Sequence, residues 1–293
     1  MTTAFVLSGG GNLGSLQVGM LQALFRSGVR PDLIVGTSVG SINGAWLASN
    51  GADADLELLA DVWIRMRRND IFPTQMVGGL LGFLGRTDYL VPSSGLRRVL
   101  QREVAAARLE DTLIPLYVVA TDIATGHDVL LSQGDLAEAV CASAAIPGVF
   151  PTVTIDGRTL VDGGVVNNCP ISHAIGLGAT TVWVLPCGYA CALETPPRGA
   201  LAVALQGLSL MVQNRLRLDA DHYSTRTDLH VVPTLCPLKV GPTDFSQARR
   251  LIAEADRSTM AWLADPSVGQ RPGLHKHPPA DPAQPKRTRR RPS

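Results

Sequence analysis

The chain has 293 residues, of which 45% are hydrophobic, so it can bury the core of one large α/β domain or of two small ones. Its formal net charge of +1 excludes the strongly basic overall balance typical of nucleic-acid-binding domains. Five cysteines, an odd number in a chain of this length, favour idle thiols in a reducing compartment over a disulfide framework.

The N-terminus has no basic start and only a short apolar run before its glycines, so it does not resemble a signal peptide. No stretch reaches the roughly eighteen apolar residues that span a bilayer. Cys187 and Cys191 have a zinc-like spacing, but no second Cys/His pair accompanies them, so no metal is expected. We therefore predict a cytoplasmic protein and leave peripheral contact with a membrane surface open.

The first fifty residues alternate predicted strands and helices. Thr3–Leu7 is β-branched and apolar and predicts a buried strand, whereas Gly14–Arg26 has apolar residues at helical spacing and ends at Gly28. A second buried strand (32–36) and a second helix (39–49) follow. This order predicts a parallel sheet with helices outside it.

The chain continues as a mixture of both element types. Helices are predicted over 56–68, 94–107, 135–145, 201–223 and 245–263. Strands are predicted over 115–121, 128–131, 152–155, 159–161, 180–185 and 229–232. Asp156 and Gly157 form an Asp-Gly pair between two of these strands, which predicts a tight hairpin turn.

Ser38 lies in the run GTSVG, between the second predicted strand and the helix that follows it. A nucleophilic serine must stand clear of the backbone, and a sharp strand-to-helix turn achieves this. Strand and helix approach closely there, so the residues two before and two after the serine must be small, as Gly36 and Gly40 are. The pattern predicts that Ser38 is the nucleophile of a serine hydrolase, with the helix N-terminus favouring negative charge beside it.

The glycine run at residues 9–14 (GGGNLG) lies between the first strand and the first helix. Its spacing also fits a dinucleotide-binding loop, but that fold needs an acidic residue near the end of the second strand, where this chain has Gly36, Thr37 and Ser38. Glycines also let successive backbone N–H groups approach one substrate oxygen and form an oxyanion hole. The glycine loop and the strand-to-helix turn around Ser38, which we call the elbow, follow neighbouring strands and can face each other. We therefore favour an oxyanion hole over a dinucleotide-binding loop.

The residues alone leave the base of the serine open. No flanking pattern marks any of the six histidines, which are His127, His173, His222, His230, His275 and His277. Asp162 ends a hydrophobic stretch and begins a Gly-Gly turn, where another segment can come close, although an ordinary Asp-Gly turn has the same pattern. A triad with a histidine and a dyad with Asp162 are both compatible with these patterns.

Three motifs stand in order along the chain: GGGNLG at 9–14, GTSVG at 36–40 and DGG at 162–164. Together they resemble the patatin-like phospholipases of bacterial type. The segments VVATDIATG (118–126), ASAAIPGVFP (142–151) and VDGGVVNNCP (161–170) are also similar to segments of that family. The resemblance extends from about residue 5 to residue 263.

This resemblance implies an α/β fold, a three-layer α/β/α sandwich with a mainly parallel central sheet. It also implies a lipid acyl hydrolase that works through a Ser-Asp dyad and an acyl-enzyme, without a metal or other cofactor. Ser38 would be the nucleophile and Asp162 the base, and Gly9, Gly10 and Gly11 would form the oxyanion hole. The remaining motif glycines are Gly14, Gly36, Gly40, Gly163 and Gly164.

One position departs from the family pattern. The fifth residue of the glycine motif is usually Arg or Lys, which could assist an anionic substrate or brace the loop, and here it is Leu13. The departure favours a neutral acyl ester, a lysolipid or another lipid ester as substrate. A general carboxylesterase and a non-catalytic lipid-binding regulatory protein stay as alternatives, although the latter has no chemical need for both Ser38 and Asp162.

We predict a folded domain over residues 1–264 and a disordered tail over 265–293, rich in proline and basic residues. The basic run at 285–291 would suit anionic lipid or nucleic acid, and a solvated tail without a role is the alternative. Apolar residues 76–84, flanked by arginines, predict either a lipid-facing lid or a buried connection. We expect a lipid or acyl-ester substrate and no nucleic acid in the folded domain, and the oligomeric state stays open.

Overall fold

The computed structural model describes residues 1–72, 89–188, 199–235, 240 and 244–265. Its strands are β1 (Thr3–Leu7), β2 (Leu33–Thr37), β3 (Leu116–Asp122), β4 (Asp128–Leu131), β5 (Val153–Ile155), β6 (Arg158–Asp162), β7 (Thr181–Leu185) and β8 (Asp228–Val231). Its helices are α1 (Gly14–Arg26), α2 (Val39–Asn50), α3 (Leu56–Arg65), α4 (Arg68–Ile71), α5 (Ser94–Glu103), α6 (Leu136–Ser143), α7 (Ile171–Gly176), α8 (Ala200–Tyr223) and α9 (Ala248–Ala264). The segment 76–84 and the tail after Asp265 lie outside the described residues.

All these strands belong to one sheet. Five of them, in the order β3-β2-β1-β7-β8, pair in parallel, whereas β4, β5 and β6 add antiparallel pairs beyond β3. Parallel strands end at a common side of the sheet, which we call the carboxyl edge, and they begin at the opposite amino edge. The predicted mainly parallel sheet is confirmed.

The sheet is buried on both faces. In β1, Phe5 and Leu7 pack into one apolar layer, and Ala4 and Val6 pack into the other. Helices such as α1 and α9 cover the first face, and α7 and α8 cover the second. A strand covered on both faces has a continuous apolar sequence, which explains the apolar run of β1 at the start of the chain. Helices on both faces of the sheet form the predicted three layers.

The structure refines several predicted boundaries. The helix predicted over 56–68 ends at Arg65, because the backbone of Met66 is extended, and a separate short helix α4 follows. The hairpin turn is confirmed, with φ of 49° at Asp156 and 74° at Gly157. Helix α7 was not predicted from the sequence. Among the described helices, none combines the length and the apolar content needed to cross a membrane.

Candidate active site

Ser38 occupies a strained turn between β2 and α2. Its φ of 53° and ψ of −123° lie in a region that residues with a side chain rarely adopt. The turn is also tightly packed: a Cβ atom on Gly40 would lie 2.1 Å from the Leu7 carbonyl oxygen, and one on Gly36 would lie 2.7 Å from the Gly40 carbonyl oxygen. Both glycines of the GTSVG motif are therefore required by space.

The sheet register brings Asp162 to this turn. On β3, Val119 pairs with both Thr37 of β2 and Leu130 of β4, whereas Ala120 pairs with both Asp162 of β6 and Val129 of β4. Since β4 occupies one side of β3, β2 and β6 must share the other side and meet end to end. The last residue of β6 is therefore set beside the first residue after β2.

The structure brings the two predicted site residues together. Ser38 Oγ donates a hydrogen bond of 2.7 Å to Asp162 Oδ2, and the Gly164 N–H donates one of 2.7 Å to Asp162 Oδ1. Both side chains are buried, since each residue keeps 7% of its accessible surface. Both carboxylate oxygens of Asp162 thus have a donor, and its orientation toward Ser38 is fixed.

The environment of Asp162 changes its acidity. Burial raises the pKa of its carboxyl group to about 6, against the opposing effect of the hydrogen bonds from Ser38 and Gly164. A carboxylate with a higher pKa holds an abstracted proton more readily, so burial makes Asp162 a stronger base than an exposed aspartate.

The side chain of Ser143 also holds the elbow in place. The backbone N–H of Ser38 donates to Ser143 Oγ at 2.8 Å, and Ser143 Oγ donates to the Val119 carbonyl at 2.6 Å. Ser143 is completely buried at the end of α6. Residue-level reasoning did not single it out, although it lies in the family-like segment ASAAIPGVFP.

The glycine loop faces Ser38, but its backbone amides differ in whether they already have a hydrogen-bond acceptor. The Gly9 N–H donates to the Asn168 carbonyl at 3.3 Å, and a Cβ atom on Gly9 would lie 3.1 Å from Ser38 Cβ. This differs from the prediction that Gly9 donates to an oxyanion, because its amide already has an acceptor. The amides of Gly10 and Gly11 have no acceptor among the described residues, so they are the candidate donors.

Buried amide side chains hold the glycine loop at both ends. Gln17 Nε2 donates to the carbonyls of Ser8 and Leu185 at 3.0 and 2.9 Å, at the ends of β1 and β7. Asn43 Nδ2 donates to the Gly14 carbonyl at 3.0 Å and to Gln17 Oε1 at 2.9 Å. Both side chains have no solvent exposure. No sequence motif marked this network.

The other motif glycines are also short of space. A Cβ atom added to Gly163 would lie 2.2 Å from the Val119 carbonyl oxygen, and one added to Gly164 would lie 2.7 Å from Asn168 Oδ1. A Cβ atom added to Gly14 would lie 2.4 Å from a methyl group of Val39. Leu13, in place of the usual cation, is partly buried and packs against the core.

Three of the described histidines contact other residues, and the fourth, His127, is exposed. His173 Nε2 lies 2.8 Å from Asp128 Oδ2, and His230 pairs with Asp228 at 3.0 Å and stacks on Trp183. His222 packs edge-on against Tyr223. In the part of the chain that the structure describes, no histidine has a hydrogen bond with Ser38, so a triad gains no support. His275 and His277 lie outside that part.

Among the described cysteines, the effect of burial outweighs any neighbour that would activate the thiol, such as Arg97 beside Cys141. Burial raises the pKa of Cys141 to about 11 and that of Cys169 to about 12, and it raises the pKa of Cys187 further. Thiols with raised pKa values are poor nucleophiles at neutral pH. They therefore do not compete with Ser38 for the role of nucleophile.

Comparison with curated proteins identifies several relatives. Patatin-like phospholipase domain-containing protein 6 of Mus musculus is 32% identical over 189 residues, which are 64% of this chain and 14% of that protein. Patatin-like phospholipase domain-containing protein 7 of Rattus norvegicus is 31% identical over 63% of this chain and 13% of that protein. Lysophospholipase nte1 of Aspergillus terreus is 30% identical over 64% of this chain and 12% of that protein. The match therefore spans about one seventh or less of these relatives.

Two solved structures are similar at low identity. VipD from Legionella pneumophila aligns with a TM-score of 0.48 and 16% identity, over 89% of this chain and 66% of that one. The type III effector protein ExoU aligns with a TM-score of 0.37 and 17% identity, over 89% of this chain and 52% of that one.

A family model described as patatin-like phospholipase matches residues 5–175, which is more than half of the chain and contains all three motifs. The chain therefore belongs to the patatin-like phospholipase family.

Proposed function

We propose that this chain is a serine lipid acyl hydrolase that cleaves carboxylic ester bonds with Ser38 as nucleophile and Asp162 as base. The observation that carries the proposal is the 2.7 Å hydrogen bond between Ser38 Oγ and Asp162 Oδ2 in a buried, strained elbow. The substrate class follows from the family and from relatives named as phospholipases and a lysophospholipase.

In the first step, Ser38 Oγ attacks the ester carbonyl carbon while its proton passes to Asp162 Oδ2. The carbonyl oxygen gains negative charge and accepts hydrogen bonds from the N–H groups of Gly10 and Gly11. The N-terminus of α2 adds positive potential at the same place. The tetrahedral species then collapses, the ester C–O bond breaks, and the proton on Asp162 moves to the leaving alcohol.

In the second step, water replaces the alcohol. The water oxygen attacks the acyl-enzyme carbonyl carbon while Asp162 takes a proton from the water. The N–H groups of Gly10 and Gly11 bind the oxyanion again. Collapse breaks the bond to Ser38 Oγ, which recovers the proton from Asp162 while the carboxylic acid departs. The cycle consumes one ester and one water and restores both side chains.

Leu13 bears on which esters within this class the chain cleaves. Its side chain packs against the core, so this position of the loop offers no cation for a phosphate group. This observation favours lipid esters without an anionic headgroup, and it keeps general carboxylesterase activity as a second candidate. A folded domain over 1–264 with a separate tail, and a cytoplasmic location, stay predictions.

A panel of p-nitrophenyl esters, neutral glycerolipids, lysolipids and phospholipids, assayed with wild type and Ser38→Ala, tests the proposal. We expect turnover of lipid esters by wild type and its loss in Ser38→Ala. Ser49→Ala is a matched control, because Ser49 lies near the far end of the same helix and, within the described part of the chain, hydrogen-bonds the Ala45 carbonyl and the Ala106 amide. Equal turnover by wild type and Ser38→Ala would contradict the proposal, and a folded wild type without turnover would favour the regulatory alternative.

A further inference from the structure

Helix α8 is longer than the strands on which it packs. Its 24 residues extend about 36 Å, whereas the five residues of β7 extend about 17 Å. The C-terminal end of the helix lies at the amino edge. Just after it, Thr227 Oγ1 and the Asp228 N–H both donate to the carbonyl of Thr180, which directly precedes β7. The helix therefore runs from that end along the sheet and past the carboxyl edge, where Ser38 lies.

Packing and length locate the point at which α8 leaves the sheet. Leu216 and Ala220 are buried in the apolar layer on that face of the sheet. At about 1.5 Å per residue, the roughly 17 Å of β7 correspond to about eleven residues counted back from the end of α8 at Tyr223. Residues 200–214, which we call the overhang, therefore begin beyond the carboxyl edge and end close to it.

The overhang exposes apolar side chains and has no charge. Its sequence, ALAVALQGLSLMVQN, contains no ionisable residue. Among its described side chains, Val203 is 54% exposed, Leu210 52% and Met211 70%. The charges begin at Arg215 and Arg217, each paired with an aspartate one turn later, at Asp219 and Asp221.

This charge pattern fits an uncharged partner. A nucleic acid or an acidic peptide would need cations, which the overhang lacks, and the ion pairs at its base already neutralise themselves. Leu210 and Met211 are neighbours about 100° apart around the helix, so the apolar surface is wider than the single stripe that pairs two helices. A broad, uncharged surface next to a charged belt suits a lipid interface.

We propose that the overhang inserts into the surface of a lipid aggregate and thereby holds the carboxyl edge, with Ser38, against the substrate. This inference rests on the proposed function for its choice of lipid. It assigns interfacial binding to described residues of α8, separately from the segment 76–84.

Vesicle binding by the full chain tests this proposal without relying on catalysis. The variant Leu210→Asp/Met211→Asp places two charges on the overhang, and Leu113→Asp is the matched control. Leu113 is 72% exposed and lies two residues before Pro115, which precedes β3 at the amino edge. The measurements are co-sedimentation with neutral phosphatidylcholine vesicles, the melting temperature, and turnover of a monomeric short-chain p-nitrophenyl ester.

We expect wild type and Leu113→Asp to bind the vesicles, and the double variant to bind about tenfold more weakly or worse, because two apolar side chains no longer enter the interface. Binding should persist at about 0.5 M salt, since no charge takes part. Turnover of the soluble ester and the melting temperature should stay at wild-type values in both variants.

Three results would overturn the proposal: equal binding by wild type and the double variant, equal weakening by Leu113→Asp, or binding that requires anionic lipid and disappears in high salt. A wild type that dimerises without binding vesicles would assign the overhang to a second copy and would also overturn it. Vesicle binding without ester turnover would instead contradict the proposed function and leave the lipid contact intact.

Discussion

Two turns contain the non-glycine residues with positive φ in the described part of the chain, and their surroundings differ. Ser38, with φ of 53°, is buried between two sheet strands and a helix, and the glycines two residues away have no room for a Cβ atom. Asp156, with φ of 49°, is exposed in a two-residue hairpin, and a Cβ atom on Gly157 would meet nothing within 4 Å.

The difference separates two causes of an unusual backbone. Asp156 and Gly157 have positive φ because a hairpin turn matches the twist of its strands, so the local sequence is sufficient. At Ser38 the cost of the strained conformation must be met by distant residues, such as Ser143 and the strand carbonyls above Gly40. Mutations in the two turns should therefore have very different consequences.

Gly40→Ala should have the largest effect on stability. Its Cβ atom would lie 2.1 Å from the Leu7 carbonyl oxygen, which belongs to the central strand and cannot move aside. We expect a loss of order 4 kcal/mol or more in the free energy of unfolding, or no folded protein. Urea denaturation measures this change, and a variant as stable as wild type would break the distinction between the two turns.

Asp162→Asn should stabilise the protein at neutral pH while removing the proposed base. Burial raises the pKa of this carboxyl from 3.8 to about 6, so between these values the folded state holds a proton that the unfolded chain has released. Stability therefore falls as pH rises through this window, and the penalty is fully present above about 6. Since asparagine cannot ionise, the variant should gain about 2–3 kcal/mol at pH 8 and much less at pH 4.5.

Urea unfolding at both pH values measures this gain. Asp122→Asn is a suitable control, because Asp122 is also buried but its pKa is lowered by backbone hydrogen bonds, first from Ala124. The control should lose stability at pH 8, where Asp162→Asn gains it. A destabilised Asp162→Asn at pH 8 would show that burial does not disfavour the ionised form of Asp162.

Gln17→Met should reveal how far the support of the site extends. Methionine fills a similar volume but cannot donate to the Ser8 and Leu185 carbonyls, so we expect a loss of about 1–3 kcal/mol in unfolding free energy. Because the glycine loop loses an anchor, kcat should fall about tenfold with KM nearly constant. Gln22→Met is the control on the same helix, since Gln22 bonds Glu57 away from the loop. Equal kcat in both variants would remove Gln17 from the positioning of the loop.

Gly157→Ala should have the smallest effect. The new methyl group meets no neighbour, so only the strain of φ at 74° remains, which costs about 1 kcal/mol. The melting temperature should fall by a few degrees and the activity should not change. A loss as large as that in Gly40→Ala would mean that the hairpin, like the elbow, depends on distant packing.

Sequence reasoning succeeded where the determinants are local. The alternation of strands and helices and the Asp156-Gly157 turn each depend on residues within one short segment. The position of the elbow is also marked locally by the GTSVG motif, although its strained conformation depends on distant residues. The pairing of Ser38 with Asp162 needed the family resemblance, because the two residues are 124 positions apart and meet only through the register on β3.

What the sequence did not predict consists of buried polar contacts between distant segments. Ser143 and Ser38 are 105 residues apart, and the amide pair of Gln17 and Asn43 joins two different helices. Serine, glutamine and asparagine occur widely on protein surfaces, so their residue types alone do not mark them as buried supports. The occupied amide of Gly9 was likewise unpredictable, because its acceptor, the Asn168 carbonyl, lies 159 residues away.

The central claim is that Asp162 activates Ser38, and the rate of fluorophosphonate labelling as a function of pH tests it most directly. In wild type the rate should rise with pH and level off above about 6, where the Asp162 carboxyl is ionised. In Asp162→Asn it should fall by about two to four orders of magnitude and lose that pH dependence, because no base remains. Labelling of Asp162→Asn at the wild-type rate with the same inflection near pH 6, or persistent labelling of Ser38→Ala, would contradict the dyad.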